Sequence, residues 1–164
     1  MQRLSLLVLR AGIVAAVLLG LFGQIVVIPT TAADEVDRFP PYAPLAVPYV
    51  TVAILGVACV QVALGALWML LSLVERGTVF SSRALRWVDL IIGASVAATL
   101  LTLGVAGHLA LASVPSPGDG MEVLGALGLA LAGVGAGAGL ALLLVIGRGL
   151  LRRAADLQGA ASTT

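Results

Sequence analysis

Four apolar stretches, Leu4–Ile28, Val47–Val74, Val88–Ala112 and Met121–Ile146, narrow what this chain can become. Each is longer than the about 20 residues that carry a helix across a hydrocarbon core of about 30 Å. In lipid, backbone N–H and C=O groups must bond within the protein, so only helices or closed barrels are workable. Stretches of this length predict helices. The expected fold is therefore all-α: a four-helix transmembrane bundle.

Composition agrees. Only 10% of residues are charged and 60% are hydrophobic, against about 25% charged in a typical soluble domain. The mean hydropathy is +1.14. A formal net charge of +1 supplies no basic field for nucleic acid, so direct nucleic-acid binding is not expected. Cys59 is the single cysteine. One thiol makes neither an internal disulfide nor a CxxC redox pair, and inside the second apolar stretch it reads as a small buried hydrophobe.

The arginines set the threading. Arg3 and Arg10 precede or enter span one. Arg76, Arg83 and Arg86 lie between spans two and three, and Arg148, Arg152 and Arg153 follow span four. Only Arg38 lies in the other two connections, with Asp34, Glu35, Asp37 and Asp119, while Glu122 opens span four. The positive-inside rule places the arginine-rich side, and so both termini, in the cytoplasm. The expected location is the inner (plasma) membrane, multi-pass. Residues 1–158 read as one transmembrane domain. Span four runs on as a short amphipathic helix to Leu157, and 159–164 read as a disordered tail. A secretory signal ending near Thr31-Ala32-Ala33 is the competing reading of the N-terminus. Its apolar run is longer than the usual 7–15 residues, so an uncleaved first helix is preferred.

The outer connection, residues 29–46, contains Pro40, Pro41 and Pro44. It is expected to be extended rather than helical, with Pro48 in the first turn of span two and Phe39, Tyr42 and Tyr49 in an interfacial aromatic belt. In the inner loop, Gly77 suits a helix stop and Ser81 or Ser82 an N-cap. Trp68 and Trp87 mark headgroup depth.

Polar residues at depth are the candidates for function. Gln61, near the middle of span two, is expected to bond Ser95 or Thr99. Gln24 lies near the outer end of span one, level with Thr51. Arg10 and Asp89 are expected to pair. His108, the single histidine, sits at the outer end of span three. No cluster with metal-ligand spacing accompanies it, and one histidine cannot ligate a haem from both sides. No metal, cofactor or catalytic residue is assigned, and enzyme activity is not expected. Gly133, Gly135, Gly137 and Gly139 form small-xxx-small spacings for helix packing, within the monomer or at a homodimer face.

Gly77-Thr78-Val79-Phe80-Ser81, followed by Ala84 and Arg86-Trp87-Val88-Asp89, resembles a bacterial family of small four-span membrane proteins, domain of unknown function 2975. Pro48-Tyr49, Cys59-Val60-Gln61 and Arg148-Gly149-Leu150-Leu151-Arg152-Arg153-Ala154 extend the resemblance over nearly the whole chain. The resemblance implies no activity or substrate. It implies, by association with small helix-turn-helix regulators, a cytoplasmic regulator as partner. This chain is short of the acidic extension such proteins carry after Leu157.

Three functions follow as expectations. The first is a non-enzymatic sensor or interaction protein, with Arg76, Arg83, Arg86, Arg148, Arg152 and Arg153 as the surface for a partner or for anionic lipid. The second is a subunit of a small oligomeric transporter or channel. The third is a quinone- or cofactor-binding membrane subunit.

Overall fold

The computed structural model describes residues 2–75, 82–118 and 120–161. Among them every regular element is helical: α1 (Gln2–Phe22), α2 (Ile28–Arg38), α3 (Ala43–Glu75), α4 (Ser82–Leu111) and α5 (Met121–Ala161). Four rods are long and apolar enough to cross a membrane, at Leu4–Arg38, Pro40–Glu75, Ala84–Leu111 and Met121–Leu150. The protein is thus a multi-pass membrane protein.

The first rod is α1 joined to α2 by one wide π turn, Gly23–Val27. Its wide bond runs from the Ile28 N–H to the Gly23 carbonyl. Pro29 explains the widening. It has no N–H for the carbonyl four residues back, and its ring pushes that carbonyl away. The Thr30 hydroxyl donates to Val26 O at 2.7 Å and lies 3.2 Å from Val27 O.

The connection expected to be extended is corrected here. Helix continues to Arg38, and α3 begins at Ala43. Only Phe39 and a 3-10 turn at Pro40–Tyr42 intervene. Phe39 stops α2 because a residue before proline is driven out of the α region; it adopts φ −139° and ψ 87°. Pro48 lies inside α3 rather than in its first turn. At the other end, α5 runs unbroken to Ala161, three residues into the tail expected to be disordered; 162–164 lie outside the described residues. The proposed stop at Gly77 and the cap at Ser81 also lie outside them, as does the side chain of Ser82.

The rods stand in a curved row in chain order. Among the described residues α1 packs on α3, α3 on α4 and α4 on α5, while the backbones of α1 and α5 stay apart. Each outer helix offers one narrow stripe to its neighbour. On the first rod this is Arg10, Ile13, Val17 and Gly20 of α1 with Gln24 of the π turn; on α5 it is Val123, Leu127, Ala130, Val134, Gly137, Ala141, Leu144 and Arg148. Steps of three and four residues keep such a stripe on one side of a slightly coiled helix. The most buried positions are small: Ala66, Ala84, Ala94, Ala106 and Ala130, with Ile13 and Leu71. Lipid tails are as apolar as leucine, so helices in a membrane join by close backbone approach at small residues.

Candidate functional site

The connections place like-numbered ends together. The α2–α3 turn and the α4–α5 loop share one end of the row, the acidic end. The starts of α1 and α4 and the end of α3 share the other, the arginine-rich end.

At the acidic end α2, α3 and α5 surround a half-open cavity of about 690 Å³. The continuation of helix to Arg38 lifts Glu35 and Arg38 to its rim, and α5 supplies Glu122 from its first turn. Phe39, Tyr42 and Tyr49 line it together with aliphatic residues of α3, α4 and α5. Phe39 and Tyr42 meet edge to face, with centroids 4.9 Å apart. Glu35 accepts from Arg38 at 3.3 Å in an exposed pair. Glu122 makes no ion pair among the described residues. Beside the cavity the Tyr49 hydroxyl lies 2.8 Å from His108 Nδ1, with the rings edge to face at 5.7 Å. This hydrogen bond ties the start of α3 to the end of α4. A second, shallower and more open pocket of about 420 Å³ shares Tyr49, Leu109 and Ala126 and extends along α3, α4 and α5 to Gly56 and Thr102.

Two ion pairs clamp the arginine-rich end. Arg10 Nη2 lies 2.6 Å from Glu75 Oε2 and 3.4 Å from the Ser72 hydroxyl. Its guanidinium sits 5.2 Å from the Trp68 ring centroid, where the ring's negative face attracts a cation. Arg148 engages Asp89, with Nη2 donating to Oδ2 at 3.0 Å and Nε close to Oδ1. The expected Arg10–Asp89 pair is therefore corrected: each residue takes a partner from its own adjacent helix. The row order accounts for this, because among the described residues the backbones of α1 and α4 do not come together.

Gln61 is corrected as well. It faces α1 rather than α4: a methyl group at Gly20 would sit 3.0 Å from Gln61 Nε2. That nitrogen is buried with no hydrogen-bond partner among the described residues. Ser95 and Thr99 instead donate to carbonyls of their own helix, Ile91 O at 2.9 Å and Ser95 O at 2.8 Å. Gln24 bonds α3 through its amide, donating to Ile54 O at 3.0 Å. Thr51, expected level with it, donates to Val47 O. The four glycines divide. Gly137 sits against Thr99 and Gly133 near Thr102, while Gly135 and Gly139 have no neighbour where a side chain would be. Arg86, Arg152 and Arg153 are exposed. The side chains of Arg76 and Arg83 lie outside the described residues.

The structure thus brings His108 to the cavity's edge and Gln24 to a helix seam. Tyr42 and Tyr49, read from the sequence as an interfacial belt, line the cavity, whereas Glu35, Arg38 and Glu122 were not among the candidates drawn from the sequence. The signal was present: three acids and an arginine precede Phe39-Pro40-Pro41-Tyr42, which suits a polar helix end turning over an aromatic lid. Residues 30–164 match the family described as "Protein of unknown function (DUF2975)". No curated protein and no solved structure matches the chain. The match takes in α2 to α5, with the cavity and both ends of the row, and the chain belongs to the DUF2975 family.

Proposed function

We propose that the protein is a non-enzymatic sensor or interaction protein that takes a ligand at its acidic end and presents a regulatory surface at its arginine-rich end. The carrying observation is the cavity among α2, α3 and α5. Its volume falls in the range of about 300–1,000 Å³ common for small-molecule sites. Two of the helices beside it, α3 and α4, run on to the opposite end, where Glu75 and Asp89 hold Arg10 and Arg148. A change in how α2 or α5 sits over the cavity reaches those pairs through helices that are rigid along their length. In this reading the arginine-rich end faces the cytoplasm of a plasma membrane, and exposed Arg86, Arg152 and Arg153 meet a soluble regulator.

A photo-crosslinking amino acid at position 86 tests the reading in living cells. A discrete adduct with one soluble protein is expected. Adducts with lipid alone would reduce the arginine surface to a topology signal.

A transporter subunit is the second reading, favoured by the open groove that runs from Tyr49 toward mid-depth at Gly56 and Thr102. Neither cavity includes Gln61 in its lining, so the groove stops short of that residue. Sustained solute flux through proteoliposomes would favour transport over sensing.

A further inference from the structure

We infer that the acidic-end cavity takes a lipophilic organic cation: an aromatic or aliphatic body carrying one permanent or protonated positive charge. The inference rests on the reading of this cavity as a ligand site and names the ligand class. The charge balance at the rim comes first. Among the described lining residues Glu35 and Glu122 face one cation, Arg38, which leaves one negative charge uncompensated there. That charge is best assigned to Glu122, because Arg38 is engaged by Glu35. The walls come second. Aliphatic residues and three aromatic rings, Phe39, Tyr42 and Tyr49, line the space. Aromatic rings bind cations through their negative faces, most strongly where water is thinned out. An anion would meet Glu122 unshielded. A hydrophilic cation would gain nothing from the apolar walls.

Position comes third. α3 is 33 residues long, about 50 Å at about 1.5 Å per residue, against a hydrocarbon core of about 30 Å. Its first turns, and the cavity with them, therefore stand at headgroup level. An amphiphilic cation concentrates at that depth, with its apolar body toward the tails and its charge toward water.

Equilibrium dialysis against full-length protein in phosphatidylcholine nanodiscs tests the inference. The probes are tetraphenylphosphonium and its anionic isostere tetraphenylborate, with empty nanodiscs as the blank. Saturable binding of the phosphonium alone is expected. Glu122→Gln should weaken it about tenfold, the scale of one charge at short range in a partly wet site. Arg38→Gln should tighten it, since it removes the competing cation. This opposite sign guards against a variant that merely unfolds. Equal or preferential binding of the borate would overturn the cation class while leaving a ligand site in place. Absence of saturable binding by either probe, or a phosphonium affinity unmoved by both variants, would overturn the inference. Retention of phosphatidylethanolamine instead, resistant to displacement by the phosphonium, would identify lipid as the occupant and overturn it too. The cross-link from position 86 is measured separately, so the sensor reading stands or falls independently.

Discussion

Single residues here are governed by how few partners lipid leaves them. Arg10 has a carboxylate, a hydroxyl and an indole face within reach, yet Arg10 and Glu75 are each about a third exposed. Solvent screening limits such a pair to about 0.2–1 kcal/mol. A double-mutant cycle of Arg10→Gln with Glu75→Gln should return a coupling in that range. The same cycle for Arg148→Gln with Asp89→Asn should also couple. Arg10→Gln with Asp89→Asn should be additive, because residues without shared partners do not couple; thermal stability in mild detergent reads all three. Gln61 is the reverse case. Its buried, unpartnered Nε2 costs about 1–3 kcal/mol where a donor is left unsatisfied. Gln61→Met keeps the shape and removes that donor, so melting should stay level or rise. A clear drop would show that the amide is satisfied in the membrane.

At the scale of elements, the seams depend on small residues at particular steps. α4 and α5 meet where Thr99 and Thr102 lie against Gly137 and Gly133. A methyl group on Gly137 would collide with the Thr99 hydroxyl, which is already committed to Ser95 O. Gly137→Ala should therefore destabilise by about 1–3 kcal/mol, the usual cost of overpacking. Gly139→Ala should be close to neutral, since its side-chain position is empty. Unfolding in a graded denaturing detergent compares the two. The glycine spacing was legible in the sequence, but which of two interleaved pairs meets α4 was not. Both pairs satisfy the same four-residue step, and only the rotation of α5 selects one. Proline was misleading for a related reason. Pro29 and Pro48 were accommodated within helices, by a wide turn and near a helix start, while Pro40 alone ended one.

The whole molecule is a row with two chemically distinct ends. Single cysteines in a Cys59→Ala background, one at position 118 and one at position 86, should separate under an impermeant thiol reagent. Labelling at 118 from outside intact cells is expected, with labelling at 86 only after permeabilisation. The reverse pattern would invert the threading inferred from arginine placement. The row order also explains why the expected Arg10–Asp89 pairing failed, while the rotation of α3, which turns Gln61 toward α1, explains why Gln61 misses Ser95 and Thr99. Depth from the arginine-rich end placed Arg10 and Asp89 near one boundary and Gln61 level with Thr99 on the antiparallel span three. Equal depth permits contact only between helices that are neighbours on the facing side, and α1 neighbours α3 alone.

Chain chemistry by itself determined the number of rods, their membrane-spanning character and the gathering of arginine at one end, because hydrocarbon excludes charge and unpaired backbone regardless of how helices pack. It did not reveal which stripe of each rod is inward. Lipid and a neighbouring helix present nearly the same apolar surface, so α1 and α5 need no polar face to mark their outside. Rotation, neighbour order, the carboxylate that each arginine meets and the cavity beneath Phe39 and Tyr42 were decided only in three dimensions, by where small residues allow two backbones to approach.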